Sequence, residues 1–421
     1  MLKHFFTVIA ACCLLISAHA QYLDRDIEQK VEREVARESL YNSNVANIIG
    51  APLLIPVLYS AAADSRVFVD ALWDVVTVHQ NGFVQSLLST LSTQHLATAD
   101  RIRMQILSSW PKPVTLDQDL AAQLTQKANK NTLDRRALYT YFTHIKSIRG
   151  GKTLTSHLKK IYRDELDYLL KSPIVFKPKT KEEIKDLYFN SPALNDYADG
   201  RYANGIRLFM FCRHNRNYPC LFLMKNRDNQ PVLQSDGKLW SQPSLGLSKL
   251  GLPYGQRNGN TPSGILTMDS VMPAADQQES FGKFRRVILD FVPQSEKEAE
   301  LMKFLPSSAQ KADWWKESVV ARNAGRDSLR IHGTGGKGSE PGDPYYPLRP
   351  TLGCVQQREG KFPRLGEFKD QRLILDKMME SLGLEKIFEN ETKIIGVLHV
   401  IELDDVKKTV TYDTLKQYLD I

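Results

Sequence analysis

The hydrophobic pattern of this chain changes period near residue 205, and no single repeating architecture accommodates both halves. Before the change, apolar residues recur at four-residue spacing. Ile27, Val31 and Val35 stand among charges, and Leu154, Leu158, Ile161, Leu166 and Leu169 repeat the habit later. Glycine is sparse there and long polar side chains are frequent. Residues 21–200 are therefore expected to form an all-α domain, with a linker near 172–200. Residues 172–182 (SPIVFKPKTKE) carry two prolines and three lysines, a composition that breaks regular elements. After the change, the runs Ile206–Phe211 and Leu221–Met224 flank a turn-rich segment, a strand–loop–strand pattern. Further strands are expected at Gly264–Asp269, Arg286–Phe291, Ser328–His332 and Lys393–Ile401. Helices are expected at Asp370–Leu382 and Thr414–Leu419. The expected class is α+β: an N-terminal all-α helical domain, a mainly-β domain over 205–403, and a C-terminal helical extension over 404–421.

The first twenty residues, MLKHFFTVIAACCLLISAHA, read as a secretory leader. Lys3 gives a positive start, Phe5–Ile16 an apolar run too short to span a bilayer, and Ala18-His19-Ala20 a small-residue cleavage site. A lipoprotein box at Ile9-Ala10-Ala11-Cys12 is disfavoured, because only eight residues would precede it. A second uncharged stretch, Val45–Ala63, contains Gly50, Pro52 and Pro56. It is expected to form buried turns and helix rather than a membrane span. No transmembrane segment is expected in the mature chain, and the expected location is the periplasm or cell envelope.

The formal charge of +8 becomes +7 without Lys3, a modest excess for 421 residues. Basic residues are not interleaved with aromatics in a stripe, so nucleic acid is not an expected partner. A hydrophobic share of 42% excludes a disordered chain and leaves ample material for a core.

Loss of the leader would leave Cys212, Cys220 and Cys354. Cys212 and Cys220 stand at the two ends of the loop between the first strands, where opposed strands can bring them within bridging distance. An oxidising compartment favours a disulfide there. A zinc site built on Cys212, His214 and Cys220 would lack a fourth ligand at sensible spacing, and no metal is expected. Cys354 is then the thiol without a partner.

Cys354 ends the segment Thr351-Leu352-Gly353-Cys354, which follows a Gly- and Pro-rich loop from Gly333 to Pro350. An apolar strand closes on His332 just before that loop. A thiolate nucleophile with an imidazole to take and return its proton is the minimum for cysteine acyl transfer. Glycine beside the cysteine lets backbone and substrate approach closely. Ser-x-x-Lys recurs four times with no Lys-Thr-Gly partner, which marks it as chance.

At these residues the chain resembles the L,D-transpeptidases, the YkuD-like catalytic domain. The resemblance rests on His332-Gly333-Thr334, on Thr351-Leu352-Gly353-Cys354, and on Asn260-Thr261-Pro262-Ser263-Gly264, which looks like the family's Thr-Pro-x-Gly strand start. It covers roughly residues 205–403. It implies Cys354 as nucleophile, His332 as general base and acid, the Gly333 carbonyl as the group that orients the imidazole, and the N–H groups of Gly353 and Cys354 in an oxyanion hole. Thr334, Tyr345, Tyr346, Arg349, Thr351 and Gln356 lie on or beside the loop as candidate substrate contacts. Leu352 stands where the family usually has a second histidine, and Gln356 where Arg or Asn is frequent. The resemblance implies an exported peptidoglycan enzyme that acts on stem peptides without a cofactor and forms 3-3 cross-links. Its alternatives are an L,D-carboxypeptidase or a hydrolase releasing wall-linked protein, and a non-catalytic wall-binding protein.

Overall fold

The computed structural model describes residues 27–91, 96, 98–112, 174, 176–194, 202–292, 301–323, 325–334 and 339–421. It is mixed α+β, with an N-terminal helical region and a largely β domain. The expected helix through Leu154–Leu169 lies outside the described residues.

The helical region begins with α1 (Ile27–Gly50). A 3-10 turn and α2 (Ile55–Ser60), α3 (Ser65–Thr77), α4 (Gly82–Leu88) and α5 (Thr98–Ser109) follow. Asp64 caps α3 by accepting from the Arg66 and Val67 N–H groups, and Asn81 caps α4 in the same way through Val84. Phe68, Leu72, Trp73 and Val76 of α3 join Ile102, Ile106 and Leu107 of α5 in one apolar cluster that also holds Val320 from the β domain. The stretch Val45–Ala63 forms the expected turns and helix, but it is not buried. Ile48 and Ile55 face the core, whereas Leu53, Leu54 and Val57 are exposed. The two prolines and the glycine turn the chain too sharply for one apolar face to stay covered. Among the described residues no single helix is long and apolar enough to cross a membrane.

Helix α6 (Lys181–Phe189) starts inside the stretch expected as a linker. Thr180 and Glu183 form a capping box, which overrides the helix-breaking prolines just upstream. Ile184, Leu187 and Tyr188 of α6 are buried against the sheet, so α6 belongs to the β domain's core.

The β domain contains β1 (Ile206–Cys212), β2 (Cys220–Lys225), β3 (Ser241–Ser244), β4 (Gly264–Val271), short helix α7 (Gln278–Phe281), β5 (Val287–Phe291), α8 (Lys316–Asn323) and β6 (Leu329–His332). It continues with β7 (Val355–Gln356), β8 (Glu359–Phe362), β9 (Gly366–Lys369), α9 (Asp370–Ser381), β10 (Ile395–Glu402) and α10 (Tyr412–Leu419). Eight strands form one sheet in the order β3-β2-β1-β10-β4-β5-β6-β7; β8 and β9 make a separate hairpin. The pairs β1–β10 and β6–β7 are parallel, and the other neighbours in the large sheet are antiparallel.

The two-residue period of β1 shows how the sequence fills both faces. Ile206, Leu208, Met210 and Cys212 enter the layer covered by α9, with Ile374, Leu375 and Met378 opposite. Phe209 and Phe211 enter the other layer, with α6 and α10. Each such side chain contributes roughly 1.5–3 kcal/mol when fully buried, so both layers are needed. The C-terminal extension is part of this core, because Leu415 and Leu419 of α10 are buried in it. A disulfide joins Cys212 to Cys220 across the β1–β2 loop.

Candidate active site

Strand β6 carries the imidazole. Leu329 and Ile331 point into the apolar layer, which leaves Arg330 and His332 on the opposite face. Ile331 and His332 pair with Val355 and Gln356 of the parallel strand β7, so Cys354 falls one step earlier, level with Arg330. Two steps of a strand separate the two levels by about 6.6 Å. His332 and Cys354 therefore line one cleft of about 480 Å³. No hydrogen bond joins them: the Cys354 thiol lies 3.8 Å from the Ser328 carbonyl and donates to it. The sequence order alone suggested a closer approach, which the strand register does not give.

The His332 Nδ1 donates to the Gly333 carbonyl, the orientation the family resemblance implied. This fixes the proton on Nδ1 and leaves Nε2 as the basic atom. The edge of His332 meets the Phe281 ring at 4.9 Å between centroids. Burial pushes the imidazole down to about 4; the Gly333 carbonyl opposes that, while Arg286, Arg330 and Arg349 add to it. Burial pushes the Cys354 thiol up, opposed by Arg330, Arg326 and Arg286. The resting pair is consequently a neutral thiol and a neutral imidazole near pH 7. The arginines offset part of the cost of a thiolate once a proton leaves.

Gly353 has φ +97°, and a Cβ there would overlap the Gly259 carbonyl and Arg326 Nη2. Arg326 is buried and donates to the carbonyls of Tyr254 (2.8 Å) and Gly259 (2.9 Å), clamping the loop beneath the cysteine turn. Thr261 of the Thr-Pro-Ser-Gly segment donates to the Gly353 carbonyl at 2.9 Å. The Gly353 N–H donates to Thr351 Oγ1 at 3.2 Å. It is thus engaged within the turn rather than open to an oxyanion. The glycine is required by the backbone and by close packing, a role its position beside the cysteine did not distinguish from catalysis.

Thr334, Arg349, Thr351 and Leu352 line the cleft. Gln356 is buried behind them: its Nε2 donates to Thr334 Oγ1 at 3.0 Å, and its Oε1 accepts from the Arg349 N–H at 3.2 Å. Tyr345 and Tyr346 are not brought to this cleft. Tyr345 packs on Leu245, Leu247 and Leu348, and Tyr346 stands edge-on to Phe362. Their rings find apolar partners there instead.

Sequence reasoning missed Arg286, Arg326, Arg330 and Glu359. Nothing in the sequence around the arginines distinguishes them; their burial does. Glu359 packs so closely on Gly333 that a Cβ on the glycine would overlap its Oε2. Its Oε1 accepts from the Lys283 N–H at 2.5 Å, while its buried Oε2 has no hydrogen-bond partner. Among the described residues, no group of three or more His, Cys, Asp or Glu side chains is arranged to hold a metal ion. Comparison with protein-family models, with curated proteins and with solved structures returns no match.

Proposed function

We propose that this protein is an exported cysteine acyltransferase, an L,D-transpeptidase that forms 3-3 cross-links in peptidoglycan. The observation that carries the reading is the shared cleft. The free Cys354 and the buried His332 line it from adjacent parallel strands, and the Gly333 carbonyl holds the imidazole with Nε2 as its basic atom. In the first half-reaction Nε2 takes the thiol proton and the sulfur attacks the carbonyl of the third stem residue. The C–N bond to the terminal D-Ala breaks, D-Ala leaves with the proton on its amine, and a thioester remains. In the second half-reaction the amine of a neighbouring stem attacks the thioester. A new amide forms, the thiolate leaves, and the amine's proton passes through the imidazole back to sulfur.

Hydrolysis of the same thioester is the second reading, as an L,D-carboxypeptidase or in release of wall-linked protein. Leu352 in the cleft lining favours it, since an apolar side chain gives an acceptor stem no hydrogen bond to position it, whereas water needs no such positioning group. Incubating the mature protein and its Cys354→Ala form with disaccharide-tetrapeptide separates the two. Cross-linked dimers identify transfer and tripeptide alone identifies hydrolysis. Neither product from a folded wild-type sample removes the enzyme reading and leaves the non-catalytic wall-binding alternative.

A further inference from the structure

Helix α1 lies over the cleft by a polar face. Lys30, Glu34, Arg37, Glu38 and Tyr41 recur at three- and four-residue spacing and so share one side of the helix. Each is paired. Lys30 meets Asp269 and, at 2.9 Å, Asp290. Glu34 Oε2 accepts from Arg330 Nη2 at 2.5 Å. Arg37 meets Asp327 and, at 3.3 Å, Asp70. Glu38 faces Arg286 Nη2 at 3.2 Å, and Tyr41 donates to Asp74 at 2.6 Å. Arg37, Glu38 and Tyr41 also line the cleft.

The two ends of α1 are held differently. Tyr41, Val45 and Ile48 are fixed in the apolar cluster of the helical region. The earlier turns rest on ion pairs whose helix partners remain about one-fifth exposed: 18% for Glu34 and 20% for Glu38. That exposure leaves the two carboxylates open to replacement by another anion. Their partners are different in character, because Arg330 and Arg286 are almost wholly buried, at 4% and 1%. Arg330 lines the cleft beside Cys354. Arg286 stacks on Phe281, the ring that meets His332. Its Nε and Nη1 are buried with no hydrogen-bond partner, although Nη2 also meets Asp276 at 2.8 Å. Buried guanidinium donors left without a partner are set for a further carboxylate.

We propose that Arg330 and Arg286 read the terminal carboxylate of the donor peptide, and that α1 occupies those two guanidinium groups in its absence by laying Glu34 and Glu38 on them. This rests on the acyl-transfer reading, whose donor already ends in a free carboxylate, and adds which residues meet that carboxylate and what holds them at rest.

Iodoacetate and iodoacetamide test this on the full mature chain. In both the thiolate displaces iodide, and the two differ by a carboxylate against a neutral amide. With rates normalised to a free thiol, E34Q/E38Q should raise the iodoacetate-to-iodoacetamide ratio at Cys354 about tenfold over wild type, the scale of one charge-assisted hydrogen bond. Adding R330Q and R286Q together should return the ratio to that of the free thiol, and R330K in place of R330Q should keep part of the gain. A ratio in E34Q/E38Q within about twofold of wild type overturns the proposal, being smaller than one such bond supplies. So does a gain that survives R330Q and R286Q together. Neither reagent is a wall fragment, so this outcome is independent of turnover. An intact arginine-dependent ratio with no tripeptide and no cross-link would defeat the acyl-transfer reading alone.

Discussion

Replacing His332 with Gln tests whether the imidazole is held neutral by burial. The imidazole is 2% exposed and pushed down to about 4, against about 6.5 for a free histidine. The unfolded chain therefore binds a proton as pH falls below about 6.5, whereas the folded chain does not bind it until about 4. The contribution to stability is complete above pH 6.5 and is lost on the way down to pH 4. A gap of that size makes the loss about 0.7 kcal/mol between pH 7 and 6, and nearly 3 kcal/mol between pH 7 and 4. Urea denaturation followed by tryptophan fluorescence at pH 7, 6, 5 and 4 gives the two curves. Other groups, the buried His399 among them, acid-destabilise both proteins alike. The difference between wild type and H332Q should thus carry this group's share. Wild type should lose about 3 kcal/mol more than the variant over the whole range. Parallel curves would refute the argument, because they would mean that His332 binds its proton equally well folded and unfolded.

Four other outcomes follow from packing and burial. Gly353→Ala should destabilise the protein by more than about 2 kcal/mol in thermal melting, since its left-handed backbone and its contact with Gly259 and Arg326 leave no room for a methyl group. Gly342→Ala, at a site with open space around it, should stay within about 0.5 kcal/mol of wild type. Asp74→Asn should cost about 1.5 kcal/mol, because it removes the charge that accepts from Tyr41, Asn258 and Arg257, while Asp70 still meets Arg257 at 3.3 Å. An unchanged urea midpoint would contradict that. Burial raises the Cys354 thiol above its ordinary value of 9.0, so alkylation by iodoacetamide should still be climbing at pH 9. A plateau below pH 8 would show a thiolate already formed.

The sequence was most legible where a strand buries both faces. The apolar run in β1 and the end of β6 at His332 stand where their period-two pattern puts them. Strand β7, two residues long, and β3, with its Gln and Pro, are held by register against neighbours and carry no local pattern of their own. The cysteine turn and the histidine were legible as chemistry, but their spacing was not. The loop sets His332 level with Gln356 and leaves Cys354 level with Arg330. Charges misled most. The charges among Ile27, Val31 and Val35 carried no sign of a partner, yet Glu34, Arg37 and Glu38 meet the β domain. Arg286 and Arg330 gave no sign of burial, because an arginine within a strand pattern ordinarily points to water. The uncharged stretch around Leu53 and Val57 erred in the opposite direction, being apolar and exposed.

Acyl transfer through Cys354 requires a thioester between its sulfur and a stem peptide. Intact-mass spectrometry of the protein quenched in acid during turnover of disaccharide-tetrapeptide looks for that bond. The predicted result is an adduct equal to the substrate less D-Ala, mapped to the peptide containing Cys354 and absent from Cys354→Ala. An unmodified Cys354 in a folded wild-type protein that has released D-Ala would contradict it.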